Sequence, residues 1–191
     1  IRKIFPAFQI PGVKYSSNTK GEMTMIEEIL EYNRKFVEEK AYEPYVTSKY
    51  PDKKIAILTC MDTRLTSLLP AALGLKNGDV KMIKNAGGVI THPYGSVVRS
   101  LLVGILELGV EEVMVIGHTD CGVEKKHMDI IRNSGIDLEG WLAGFDSVEQ
   151  SVEDTVFALH NHPLIPKDIK IYGFIMDSMT GELSEVPETG E

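Results

Sequence analysis

Two stretches of this chain are apolar almost without a break over the length of a strand: "KKIAILTC", residues 53–60, and "EEVMVIGH", residues 111–118. A strand with one wet face alternates apolar and polar residues, so a continuous run fits a strand covered on both faces, as in a parallel sheet. "VKMIKNAGG", residues 80–88, reads as another strand running into a glycine turn. The intervening segments carry helical spacing. In "TMIEEILEYNRKFVEEK", Thr24 and Glu27 form a capping-box pattern, and Ile26, Ile29, Leu30, Phe36 and Val37 make an apolar stripe interrupted at Asn33. "GSVVRSLLVGILELG" repeats the pattern through Val97, Val98, Leu101, Leu102, Ile105 and Leu106, and stops at Gly109. A polar helix is expected around "VEKKHMDIIRN", residues 123–133. Another opens at a second capping-box pattern, Ser147 with Gln150, and ends before Pro163 and Pro166. "IKIYGFIMDSMTGELSEV" closes the chain as a strand, a turn at "SMTG" and a returning strand. Alternating strands and helices predict an α/β fold with a mainly parallel central sheet flanked by helices and a C-terminal antiparallel edge hairpin.

With 191 residues, 43% hydrophobic and 25% charged, the chain has the length and composition for one domain with a sizeable core. We assign that domain to residues 23–191. Residues 1–22 lack periodicity and read as an N-terminal extension, either a partner-contacting arm or disordered. The net charge of −8 and the lack of a Lys/Arg-rich block argue against a nucleic-acid partner. No apolar stretch reaches membrane-spanning length, and the N-terminus has no continuous apolar segment of signal-peptide type. Two cysteines do not make a disulfide scaffold, so a cytoplasmic location is expected.

Those cysteines are nevertheless placed suggestively. In open α/β sheets, ligands bind beyond the carboxyl ends of the strands. "TCMDTR" puts Cys60, Asp62 and Arg64 just past one strand, and "GHTDCG" puts His118 and Cys121 at the end of another. If the two strands are neighbours, Cys60, His118 and Cys121 converge. Two thiolates and an imidazole suit zinc, and three protein ligands leave a fourth position open, as in catalytic sites. Water or Asp62 fills that position; a bidentate pair with Arg64 would hold Asp62 away from it. Zinc lowers the pKa of bound water to about 7. Taken singly the features are ordinary. Free cysteines are often small core residues, a His-x-x-Cys spacing arises by chance, and an Asp–Arg pair is often only a loop salt bridge. Their coincidence at one sheet edge is what points to a metal.

"CMDTR", "KNAGG" and "GHTDCG", in that order, resemble the C-x-D-x-R, N-A-G and H-x-x-C-G motifs of the β-class carbonic anhydrases. The resemblance extends from about Lys53 to the terminal hairpin, and the short spacing between motifs is similar to the small prokaryotic branch. It implies an enzyme interconverting CO2 and bicarbonate with one Zn2+ per chain held by Cys60, His118 and Cys121. It also implies a catalytic dyad of Asp62 and Arg64, Asp62 as an alternative fourth metal ligand, and a Gly122 N–H facing the substrate. Lys84 stands where many relatives carry arginine. The family's dimers and larger assemblies, in which the N-terminal helix packs on a neighbour, imply a homodimer or higher homo-oligomer.

Other histidines invite smaller roles. His127 is read as a surface residue or a proton shuttle, and His92 as lying nearer the cleft. His160 and His162 sit at a helix end where a cation suits the dipole. Trp141 is given packing alone. Two other functions fit the same residues. One is hydrolysis of carbon disulfide or carbonyl sulfide at the same zinc. The other is a non-catalytic zinc-binding or redox-responsive protein, against which the Asp62–Arg64 pair argues.

Overall fold

The computed structural model describes residues 23–123 and 144–187. His127, Trp141 and nearly all of the helix expected over 123–133 lie outside them. The chain divides into two compact units, Ile1–Val46 and Thr47–Glu191.

The first unit contains α1, Met25–Glu38, followed by one 3-10 turn, Glu43–Tyr45. The capping box forms in both directions: Thr24 Oγ1 accepts from Glu27 N–H at 3.2 Å, and Glu27 Oε2 accepts from Thr24 N–H at 2.7 Å. No residue of α1 is buried, and Met25, Ile26, Ile29 and Leu30 are each more than half exposed.

The second unit is built on a five-stranded sheet in the order β2-β1-β3-β4-β5. Its strands are β1 (Ile55–Cys60), β2 (Val80–Asn85), β3 (Glu112–His118), β4 (Lys170–Met176) and β5 (Leu183–Val186). The first four pair in parallel, and β5 turns back antiparallel on β4. The central strands are the continuous apolar runs: five of six residues in β1 and five of seven in β3 are buried. β1 and β3 are direct neighbours, with Thr59 opposite Ile116. The Thr59 hydroxyl, fully buried, donates to the Ile116 carbonyl at 2.8 Å and locks that register just before both strands end.

Among the described residues of this unit, three α-helices form: α2 (Leu65–Ala72), α3 (Ser96–Leu108) and α4 (Val148–His160). Of the predicted stripe α3 buries Val98, Leu101 and Ile105, while Val97 and Leu102 are half-buried and Leu106 is exposed; the helix ends at Gly109 with φ +73°, a backbone that favours glycine. α4 packs against β3 and β4, where a Cβ at Gly117 or Gly173 would fall 2.7–2.8 Å from Val148 or Val152. Those two glycines set how closely the helix lies on the sheet. Ser147 caps α4 by accepting from Gln150 N–H at 3.1 Å, but the Gln150 side chain reaches forward to Asp154 at 3.0 Å. Only half of the expected capping box therefore forms. Helix α2 does not emerge from the sequence pattern, because Pro70 interrupts a stretch that is apolar nearly all round.

Candidate metal centre

Because β1 and β3 are neighbours in register, their last residues, Cys60 and His118, come to the same edge of the sheet, and the turn after β3 returns Cys121. All three side chains are essentially buried, at 4%, 0% and 3% exposure. Their donor atoms lie within 4.8 Å of one another. The two sulfurs are 3.9 Å apart. Two thiolates at about 2.3 Å from a tetrahedral zinc stand about 3.8 Å apart, so the spacing is already that of a metal site.

Histidine supplies the sharper test. His118 Nδ1 lies 2.9 Å from the Thr119 carbonyl, which can only accept, so Nδ1 carries a proton. Its Nε2 is the one buried side-chain nitrogen or oxygen among the described residues with no hydrogen-bond partner. A buried polar atom without a partner is costly unless something absent from the protein atoms completes it. A zinc ion fits these residues on spacing, burial and donor chemistry together.

Backbone donors support the sulfurs. Burial raises the Cys60 pKa, but the proximity of the His118 imidazole and the N–H groups of Gly87 and Asp62 outweigh it and hold the thiol at about 7. Cys121 is pushed up to about 11, chiefly by burial, with the Val123 N–H opposing. The neighbouring Cys60 in turn raises His118 against its own burial. The proton these groups compete for marks the place a cation would take.

The loop after β2 closes one wall. Asn85 clamps Val89, donating from Nδ2 to its carbonyl at 2.7 Å and accepting from its N–H at 3.1 Å. Gly88, at φ +69°, lies so close to β1 that a Cβ would sit 2.8–3.0 Å from the Thr59–Cys60 backbone. Only glycine fits there. Lys84, the departure from the family pattern, is exposed on edge strand β2.

Asp62 faces Arg64. Arg64 Nε and Nη2 donate to Asp62 Oδ1 and Oδ2 at 3.1 and 2.8 Å, a bidentate pair, and the Arg64 N–H adds a 2.8 Å bond to Oδ1. Bonding to Arg64 holds the Asp62 carboxyl at about 2, so it stays ionised. Asp62 Oδ2 is nevertheless only 4.0 Å from His118 Nε2. A further residue, absent from the sequence reading, completes the group. Asp120 accepts twice from Arg64, through Oδ2 at 3.1 Å and its carbonyl at 2.9 Å, with a left-handed backbone at φ +55°. An acid set inside His-x-x-Cys, opposite an arginine, was the available signal. Gly122 is exposed, with open space where a Cβ would stand.

The remaining histidines differ from expectation in one case. His160 is exposed at the end of α4, but His162 is buried, with Nε2 2.7 Å from the Pro93 carbonyl and Nδ1 accepting from Leu164 N–H at 3.2 Å. That pattern uses both nitrogens of a neutral ring, so His162 is a packed strut and not a dipole-facing cation. His92 is exposed and accepts from the Tyr94 N–H within its own turn.

Comparison with known proteins fixes the family. The family model described as Carbonic anhydrase matches residues 55–167. Beta-carbonic anhydrase 1 of Mycobacterium tuberculosis is 36% identical over 143 residues, covering 71% of this chain and 83% of that protein. The chain belongs to the β-class carbonic anhydrases. It is an enzyme of that class. This β-carbonic anhydrase is also 48% identical over 182 residues to YvdA of Bacillus subtilis, itself designated only a candidate carbonic anhydrase, across 86% of this chain and 92% of that one. The crystal structure of a β-carbonic anhydrase from Trichomonas vaginalis superposes with a TM-score of 0.78 at 35% identity, covering 86% of this chain and 98% of that one.

Proposed function

We propose that this β-carbonic anhydrase converts CO2 and water to bicarbonate and a proton at one zinc per chain, held by Cys60, His118 and Cys121. The observation that carries this reading is the convergence of two buried thiols on a buried imidazole nitrogen that has no other partner. Zinc bound there supplies Lewis acidity that lowers the pKa of a coordinated water to about 7, giving a nucleophile for the carbon of CO2 at neutral pH.

The protein's residues govern access and orientation. Arg64 holds the Asp62 carboxylate off the fourth ligand position, leaving it for water. In that place Asp62 Oδ2 stays ionised and can only accept, so it orients the nucleophile's proton and directs its lone pair at the substrate. Released from Arg64, the same carboxylate would be free to serve as a further ligand to a bound zinc. The Gly122 N–H is assigned to the substrate oxygen. His118 keeps its Nδ1 proton on Thr119 throughout and so presents Nε2.

The apolar stripe of α1, exposed at Ile26, Ile29, Leu30 and Val37, supports a homodimer at minimum, with that face covered by a second copy. Two thiols this close remain available to a metal in a reducing cytoplasm, where we place the enzyme.

Stopped-flow CO2 hydration on protein of measured metal content tests the reading. About one zinc per chain with hydration activity is expected. A zinc-loaded protein that releases sulfide from carbon disulfide but leaves CO2 untouched would move the substrate to the sulfur analogue. The comparison is pertinent because a carbon disulfide hydrolase of Acidithiobacillus thiooxidans is 31% identical over 157 residues, 69% of this chain and 76% of that one.

A further inference from the structure

An imidazole serves a metal only if its ring is held in one tautomer and one orientation. Metal-binding histidines usually secure this by giving the second N–H to an acceptor that is itself held fast. Here the acceptor is the carbonyl of the very next residue, Thr119, at 2.9 Å. A carbonyl in the first residue past a strand has no ladder of its own to fix it, so what fixes Thr119 matters.

Three bonds do so, one to the last residue of β4 and two to Ser178 in the turn beyond it. Thr119 N–H donates to the Met176 carbonyl at 3.0 Å, extending the β3–β4 ladder one step beyond the His118–Met176 pair. Thr119 Oγ1 accepts from Ser178 N–H at 3.0 Å. The two hydroxyls also meet, Oγ1 to Oγ at 3.2 Å. Ser178 is 4% exposed, although it lies in a turn where the neighbouring Met179 is 80% exposed. A serine turned inward from such a turn and bonded across to residue 119 is placed by the fold, not by solvent.

The turn that carries Ser178 is itself stapled. Asp177 Oδ1 accepts from Met179 N–H, Thr180 N–H and the Thr180 hydroxyl at 2.7–3.0 Å, and Asp177 N–H donates to the Glu182 carbonyl at 2.8 Å. Rigid support thus runs from the hairpin through Ser178 and Thr119 to His118 Nδ1.

We infer that Thr119 and Ser178 are positioning residues for the metal: their paired hydroxyls hold the carbonyl that orients His118, so the C-terminal hairpin sets how tightly zinc is bound. This rests on the zinc reading above. It concerns affinity and ligand geometry and gives neither residue a contact with substrate.

The test is zinc affinity, measured by chelator competition on the full chain after metal removal and reloading. Thr119→Val keeps the side-chain shape but deletes the acceptor. It should weaken zinc binding by about 10-fold or more, the usual loss when an outer partner of a ligating histidine is removed. Thr119→Ser restores the oxygen and should return the wild-type affinity. Ser178→Ala removes only the hydroxyl link, leaves the backbone N–H in place, and should give a smaller loss in the same direction. The cobalt-loaded proteins report geometry: visible ligand-field bands should shift in Thr119→Val and not in Thr119→Ser. Wild-type affinity and bands in Thr119→Val, with only a lower melting temperature of the metal-free protein, would overturn the inference and leave a purely structural tie. Should Thr119→Val fail to fold, wild-type affinity and unshifted bands in Ser178→Ala would overturn it equally. A wild-type chain that takes up no zinc would overturn the metal reading as well, which separates the two failures.

Discussion

Strands β1 and β3 lie side by side, and their two ends use the same kinds of side chain to different effect. At the amino-terminal end, Lys54 pairs with Glu111 and Lys170 with Glu112, all at or above a third exposed. Solvated pairs of this kind contribute at most about 1 kcal/mol. At the carboxyl-terminal end, Arg64 takes both Asp62 and Asp120, with Arg64 and Asp62 at 33% and 18% side-chain exposure, beside two buried thiols. Each end even has a non-glycine residue in the left-handed region, Lys54 at φ +57° and Asp120 at φ +55°. At the wet end the Lys54 carbonyl merely caps the ladder, accepting from Glu111 N–H at 2.8 Å. At the other end the same backbone turn lays both the side chain and the carbonyl of Asp120 on a guanidinium. Charge and strain are common to both ends, and Asp120 itself is 76% exposed; what sets this end apart is the withdrawal of Asp62 and the two thiols from water.

The contrast can be broken most violently at the metal. Cys121→Ser replaces a thiolate with a neutral hydroxyl and should lower zinc affinity by more than about 100-fold, beyond the loss from outer-partner changes, as read by metal analysis after dialysis. Full occupancy in that variant would sink the ligand assignment. Next in size, Arg64→Ala frees Asp62 to occupy the fourth position. It should reduce CO2 hydration at neutral pH by about 100-fold with zinc retained, and near-normal hydration would deny the dyad its role. Asp120→Asn keeps a residue that tolerates the left-handed backbone but removes one charged contact to Arg64. A loss of about fivefold in kcat/KM is expected, corresponding to one hydrogen bond of roughly 1 kcal/mol.

Acid titration adds a check of sign. The Asp62 pKa is lowered by Arg64 to about 2, so the pairing stabilises the fold fully above the unfolded value and is lost as pH falls through about 2. The stability gap between wild type and Asp62→Asn should therefore be constant at neutral pH and shrink below roughly pH 4, in denaturant titrations at fixed ionic strength. Smallest of all, Lys54→Gly at the wet end relieves left-handed strain and deletes an exposed ion pair. Stability should stay within about 1 kcal/mol of wild type and hydration unchanged.

How much of this was legible beforehand follows from the range of each interaction. The central strands were, because burial on both faces leaves an uninterrupted apolar signature that no neighbour needs to explain. Cys60, His118 and Cys121 were, since strand ends in a parallel sheet share an edge once β1 and β3 pair. Helix α2 was not: Pro70 and an apolar run without a polar face hide its period. The orientation of Gln150 was settled by Asp154, a competitor one turn further on. Asp120 and the buried setting of His162 were hidden for another reason. Each depends on a partner more than 50 residues away, Arg64 in one case and the Pro93 carbonyl in the other, and local spacing carries no trace of such pairings.

The two sulfurs that stand 3.9 Å apart are 61 residues apart along the chain. Between them the polypeptide must complete β2 and α3 and bring β3 alongside β1 before the second thiol arrives. In kinetic terms the centre is a latch and not a nucleus: the local segments can form early, but a tightly coordinated ion has to wait for the crossover. An ion that binds only the closed form then adds to its stability by mass action, about 2.7 kcal/mol at a free concentration 100 times its dissociation constant. On the zinc reading proposed above, metal supply and the stability of the folded chain would therefore be linked through the pairing of β1 with β3.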